Sequence, residues 1–331
     1  MTKFTTLLGA SAALALVAGA ALAEPAIIFD LGGKFDKSFN ESANAGATRW
    51  AEETGETFAE FELTAEAQRE QAIRRFAEQG KSPIIMVGFM SATPLNEIAP
   101  DYPDTKFVIV DAVVDQPNVR SVVFNEHEGS YLVGMLAAMA SQTGTVGFVG
   151  GMDIPLIRKF GCGYAQGVMA ANPDATVIAN FTGTTPAAWN DPAKGSELTL
   201  AQIGQGADVV YAAAGGTGVG VLQTAADENI LSIGVDSNQN YLHPGQVLTS
   251  MVKHVDNAVY EAMKAGEAVE TGTQVMGVAN EGVGYALDDN NASLITPEMK
   301  AAVDEAAAKI ASGEIEVHDY SADESCPAIQ F

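Results

Sequence analysis

Four carboxylates stand at or just beyond the ends of short apolar runs: Asp30 after AIIF, Asp36 in the turn beyond it, Asp111 after FVIV and Asp236 after ILSIGV. Side chains in such places either move protons in catalysis or accept hydrogen bonds from a bound molecule's hydroxyls. The rest of the sequence weighs between the two. No G-x-S-x-G elbow and no Cys–His signature supplies a nucleophile. His127, His243, His254 and His318 are scattered without metal-ligand spacing. The run GGTGVG, from Gly215 to Gly220, follows an apolar run and precedes a helical pattern, as a dinucleotide fingerprint would. It fails in detail, because a fingerprint started at Gly216 needs glycine where Val221 stands, and no phosphate loop G-x-x-x-x-G-K-[ST] occurs. The run reads as a glycine-rich turn lining a pocket, with tight helix packing as the alternative. Lacking an activated nucleophile, a metal site or a cofactor motif, the chain reads as a binder more than a catalyst, and no cofactor is expected.

The stretch Ile27 to Asn40, IIFDLGGKFDKSFN, shows what must position such groups. Its apolar run reads as a strand buried on both faces, and Gly32 and Gly33 permit the turn that follows. Ser38 and Glu41 have the S-x-x-E spacing of a capping box, which opens a helix and leaves Phe39 and Asn40 at its edge. A strand, a glycine turn and a helix N-terminus form the junction at which open α/β sheets bind ligands. An ordinary connection with Phe39 in the core is the plainer alternative.

The same alternation continues along the chain. Strands over 58–63, 83–87, 106–110 and 119–124 are separated by helices over 65–79 and near Pro94. An apolar helix beginning at Asn125 leads to a second set, with strands over 145–149, 175–181, 208–213 and 230–235 between helices over 155–171, 191–206 and 219–229. Strands over 247–252, 274–278 and 282–287 and helices over 256–266 and 296–312 follow. Alternation of this kind implies right-handed crossovers and mostly parallel sheets. The expected fold is α/β and two-lobed, each lobe a mostly parallel sheet flanked by helices. With crossings near Asn125, Lys253 and Tyr285, residues 24–125 with 254–284 make the first lobe and 126–253 with 285–331 the second.

Residues 1–23 carry a basic start at Lys3, an apolar run from Leu7 to Leu22 and small residues at Ala21 and Ala23, the pattern of a Sec signal peptide cleaved after Ala23. No cysteine stands at the cleavage point to accept a lipid, so a soluble periplasmic protein is expected. The net charge of −25 repels phosphate backbones and anionic lipid, which argues against nucleic-acid and membrane-surface partners. In an oxidising compartment the two cysteines, Cys162 and Cys326, suggest a single disulfide, with free thiols as the alternative.

Six segments in order, DLGGKFDKSFN, GGMDIPLIRKFGCGYAQG, WNDPAKGSE, AAGGTGVG, IGVDSNQ and LTSMVKHVDNAVY, resemble the BMP family of ABC-transporter substrate-binding proteins, the purine-nucleoside receptors. The resemblance implies a type I periplasmic-binding-protein fold, a ligand held between the lobes, an ABC permease in the inner membrane as partner, and a monomer. Carried over to the matching positions, Phe39 of the D-x-S-F-N run stacks on the purine and Asn40 bonds its edge, with Asp36 and Ser38 beside them. Asp111 resembles the carboxylate that accepts from the purine ring, Asp236 the ribose ligand and Lys253 the donor to the sugar. Gly216 and Gly218 would let the second lobe's backbone approach the ribose, and Trp189 would cover the base. The rival readings are a receptor for a free sugar or another aromatic-stacked solute, and an exported nucleoside hydrolase.

Overall fold

The computed structural model describes residues 23–331, so the signal segment expected over 1–23 lies, but for Ala23, outside the described residues. The first series of elements is β1 (Ala26–Phe29), α1 (Phe39–Thr54), β2 (Ala59–Glu62), α2 (Arg69–Glu78), β3 (Ile84–Met86), α3 (Ala92–Ile98), β4 (Phe107–Val110) and β5 (Val119–Phe124). α4 (Glu126–Ala140) leads to the second: β6 (Thr145–Met152), α5 (Pro155–Ala171), β7 (Thr176–Gly183), α6 (Pro192–Ile203), β8 (Val209–Ala213), α7 (Gly218–Asp227), β9 (Leu231–Asp236) and β10 (Val247–Lys253). The late elements are α8 (Val255–Ala265), β11 (Gly272–Met276), β12 (Val283–Tyr285) and α9 (Pro297–Ser312).

These strands form two six-stranded sheets, ordered β11-β5-β4-β3-β1-β2 and β12-β10-β9-β8-β6-β7. Every pairing in the first is parallel, and in the second only β12 runs antiparallel, against β10. Parallel neighbours on both sides explain why β1 is apolar throughout and wholly buried. Strand order reverses between β1 and β3 in one sheet and between β6 and β8 in the other, and crevices at such reversals are where doubly wound sheets hold ligands.

The chain leaves the first sheet at Asn125 and leaves the second at His254, where α8 returns to pack on α1. The third crossing lies earlier than the sequence suggests. Val283 and Gly284, assigned above to the first lobe, belong to β12 in the second sheet, with Val283 opposite Lys253. The run Gly282 to Leu287 reads as one strand, whereas Gly282 N–H donates to Gly277 O at 2.7 Å and Glu281 takes a left-handed φ of 57°, so the chain turns before Val283.

Most of α4 is buried, as its apolar composition predicts, and it packs closely along α5. Gly134, Gly163 and Gly167 make that approach possible, since a side chain at any of them would collide with backbone of the other helix. The disulfide joins Cys162 on α5 to Cys326 in the C-terminal segment. Among the described residues no helix is long and apolar enough to cross a membrane.

The start of α1 departs from the capping-box expectation. Ser38 is the N-cap residue but makes no side-chain cap bond. Asp36 does that work, its carboxylate accepting from the backbone N–H of Ser38 (2.8 Å), Asn40 (3.0 Å) and Glu41 (3.1 Å). A carboxylate at a helix N-terminus also gains from the helix dipole, which a serine hydroxyl gains less. Glu41 reaches back to Lys37 N–H at 3.1 Å, and the Ser38 hydroxyl is freed to turn toward the second lobe.

Candidate functional site

A cavity lies between the carboxyl ends of the two sheets. From the first lobe it is lined by Asp30 and Leu31 beyond β1, Gly88 and Phe89 beyond β3, and Asp111 beyond β4. Asp36, Phe39 and Asn40 add the entrance of α1. The second lobe supplies Leu156, Ile157 and Phe160 from α5, then Trp189, and Ala213 and Gly215 at the end of β8. Val235 and Asp236 close β9, and Lys253 closes β10. The cavity therefore sits on the strand reversals of both sheets.

Asp111 and Asp236 end the fourth strand of their respective sheets, and both have positive φ, 69° and 62°. Such backbone is strained for a residue with a side chain and recurs where a side chain must be aimed. Lys253 Nζ donates to Asp111 Oδ2 at 2.7 Å and lies 3.0 Å from Glu126 Oε1. The rings of Phe39, Phe124 and Phe160 surround it, with centroids 5.1, 4.9 and 5.6 Å away. Asp111 Oδ1 is buried with no hydrogen-bond partner.

Asn40 is held by its own lobe, with Oδ1 accepting from Asp30 N–H (3.1 Å) and Nδ2 donating to Asp30 O (3.2 Å). That leaves one N–H and one lone pair of the amide for another partner. Asp30 is fixed in turn by the buried Arg69, whose Nη2 donates to Asp30 Oδ1 at 2.7 Å while Nη1 donates to Ser91 Oγ at 3.1 Å. The lobes meet at Lys37 and Ser38. Ser38 Oγ donates to Asp236 Oδ2 (2.7 Å), Ser237 Oγ donates to Ser38 O (2.7 Å), and Gln239 Nε2 donates to Lys37 O (2.8 Å).

Burial pushes the carboxyls of Asp111 and Asp236 up to about 6 each, even with the Lys253 ammonium opposing the rise. Burial also raises Asp36, against the three N–H groups it accepts from. Lys253 is the opposite case: burial works against its charge, yet Asp111, Glu126 and Asp236 outweigh it and the amine is held above its ordinary range.

Of the residues singled out from sequence, Asp36, Phe39, Asn40, Asp111, Trp189, Asp236 and Lys253 line the cavity. Three do not. Ser38 is wholly buried and bonded to Asp236, Gly216 stands behind Gly215 beside the Trp189 carbonyl, and Gly218 opens α7 against Ala212. Within the glycine run, Gly220 fits the packing alternative, since a side chain there would strike Pro192. Trp189 packs as well as lines, its ring resting on Gly151 of β6. Sequence reasoning missed Phe89, Phe160 and Arg69. Phe89 was within reach, because it follows a strand end just as Asp111 does; Phe160 and Arg69 lie mid-helix or at a helix start with no local mark.

Two α/β lobes joined by three crossings, with a polar and aromatic cavity between them, are an architecture that can hold a small molecule between its lobes. A family profile described as ABC transporter substrate-binding protein PnrA-like matches residues 24–321, and the chain belongs to this Bmp family. It is 33% identical over 319 residues to the ABC transporter nucleoside-binding protein BmpA of Lactococcus lactis subsp. cremoris, covering 88% of each chain. It is 34% identical over 281 residues to an uncharacterised lipoprotein of Pyrococcus horikoshii, covering 78% of this chain and 68% of the relative. Among solved structures, an ABC transporter solute-binding protein from Aeropyrum pernix K1 superposes with a TM-score of 0.80 at 29% identity, covering 90% of this chain and 93% of that one. The protein is thus a substrate-binding component of an ABC transporter, a class that binds small molecules and a membrane permease.

Proposed function

We propose that this protein is the receptor of an ABC importer for a purine nucleoside, bound between lobes that hinge at the crossings. The observation that carries the reading is Asp111 Oδ1, a buried acceptor without a partner in a cavity also lined by the Phe39 ring. A flat base with a protonated ring nitrogen, such as hypoxanthine or guanine, offers a face to Phe39 and a donor to Asp111 together. Asn40 keeps one N–H and one lone pair for the base edge, and Asp236 suits a pair of vicinal hydroxyls. The printed name of the Lactococcus relative, a nucleoside-binding protein, supports the same ligand class. Four carboxylates and a single ammonium line the cavity, so a phosphorylated ligand is repelled. The basic start, apolar run and A-L-A ending of residues 1–23 support export to the periplasm with cleavage after Ala23.

Thermal shifts of the mature chain against inosine, guanosine, adenosine, pyrimidine nucleosides, inosine monophosphate and free sugars test this. Purine nucleosides should stabilise it and the monophosphate should not. A shift with sugars alone would sink the nucleoside reading, and release of free base would move it to a hydrolase. Phe39→Ala should weaken nucleoside binding about 5- to 150-fold, the range expected for one lost base-stacking contact, while leaving the empty fold intact. Unchanged affinity would refute the stacking role.

The raised carboxyls give a pH dependence with opposite signs for the empty and the loaded protein. Between about pH 4 and 6 the folded chain holds protons on Asp111 and Asp236 that the unfolded chain has released. These two groups therefore contribute stability that is full below about pH 4 and is lost as the pH rises through 6. Nucleoside binding needs the same groups as ionised acceptors, so affinity should fall as the pH drops from 7 to 5, with proton release on binding in calorimetry. Affinity that is flat across this range would show that neither carboxylate takes a donor from the ligand.

A further inference from the structure

Glu126 opens α4 at the first crossing and is 1% exposed, yet it does not line the cavity. Its Oε1 lies 3.0 Å from Lys253 Nζ and its Oε2 lies 3.1 Å from Lys159 Nζ. Lys159, itself buried on α5, donates to Phe124 O at 2.7 Å and lies 3.3 Å from Asp319 Oδ2. Charges thus alternate in sign from the cavity outward: Asp111, Lys253, Glu126, Lys159, Asp319. The last of these sits on the C-terminal segment, which α5 grips beside it. Gln166 and His318 exchange side-chain and backbone bonds at 2.9 and 3.0 Å, and Arg158 Nη1 donates to Tyr320 OH at 2.9 Å.

We propose that Glu126 is a positioning residue for Lys253, held from behind by Lys159 and Asp319, so that the C-terminal segment is part of the binding apparatus. An ammonium buried among carboxylates settles where their attractions balance, because burial leaves little solvent screening between them. Without the Glu126 charge, Lys253 is drawn onto Asp111 and Asp236 and occupies the acceptors a ligand needs. The Lys159 ammonium fixes Glu126 in turn, itself anchored by the Phe124 carbonyl that accepts from it, and Asp319 keeps Lys159 from leaning further inward. This proposal rests on the reading that Lys253 serves the sugar of a nucleoside.

Glu126→Gln keeps the side chain's shape and removes its charge. Calorimetry with inosine and 2′-deoxyinosine should show inosine affinity lower by about tenfold, within the usual range of coupling between contacting residues, and 2′-deoxyinosine affinity lower by less. The preference for ribose then narrows. Equal losses for both ligands, or none, would mean that Glu126 only supports the fold and would overturn the proposal. A readout without ligand separates failure here from failure of the nucleoside reading. The ¹⁵N signal of the Lys253 ammonium, assigned with Lys253→Arg, should move in Glu126→Gln whether or not the wild type binds a nucleoside, and an unmoved signal overturns the proposal. Should Glu126→Gln not fold, Asp319→Asn at the outer end carries the test: it should move the Lys253 signal the same way by a smaller amount, and no movement overturns the relay.

Discussion

Replacing Lys253 with methionine should destabilise the protein by about 3–5 kcal/mol at pH 7, the usual consequence of removing one partner of a buried ion pair. The site explains the size. Lys253 is 1% exposed, it is bonded to Asp111, and it lies against Glu126, which is equally buried. Methionine fills much of the volume among Phe39, Phe124 and Phe160, so packing is spared and the loss is almost wholly electrostatic. Two or three carboxylates would be left facing one another without a cation. They answer by taking up protons, which sets the sign of the pH dependence. Asp111 and Asp236, already raised, rise further, so the variant's deficit should shrink as the pH falls from 7 to 5. Urea unfolding of wild type and variant at both pH values measures this. An equal deficit at pH 5 and 7 would mean that the carboxylates are not balanced through Lys253.

Much of this site could be read from strand ends alone. Asp111 and Asp236 stand out because each closes an apolar run, and in a doubly wound sheet the carboxyl end of a strand faces the ligand crevice, whereas Lys253 enters only through the family resemblance. The run of β1 and the span of α5 were equally plain, since a buried parallel strand has no polar face and a helix opened by Pro155 has a fixed start. What the sequence hid depends on the other lobe. Ser38 and Asp36 sit two residues apart and both suit an N-cap; only the approach of Asp236 decides that the serine turns outward and the aspartate caps. Glu126 reads as a first-turn acid of α4, and nothing near it in sequence shows that Lys253 and Lys159 converge on it from β10 and α5. The assignment of Val283 and Gly284 failed for the same reason. A strand's sheet is chosen by its pairing partner, here β10, and not by its own composition.

Opening the Cys162–Cys326 bridge, as Cys162→Ala with Cys326→Ala, should lower stability by up to about 5 kcal/mol in the loop-entropy account, because the bridge closes a separation of 164 residues. The native structure itself should change little. Arg158, Gln166 and the ring of Phe331 against Phe181 still hold the C-terminal segment on the second lobe. The loss then falls on the unfolded chain, which gains freedom, and not on the site. Denaturant unfolding should show an earlier midpoint, while nucleoside affinity stays within a few-fold of the wild type. Affinity lost together with stability would mean that the bridge, and not the side-chain contacts of α5, keeps Asp319 on Lys159. Unchanged stability would mean that the segment is docked as firmly in the unfolded ensemble as in the native state, which a tail anchored by so few polar contacts is not expected to achieve.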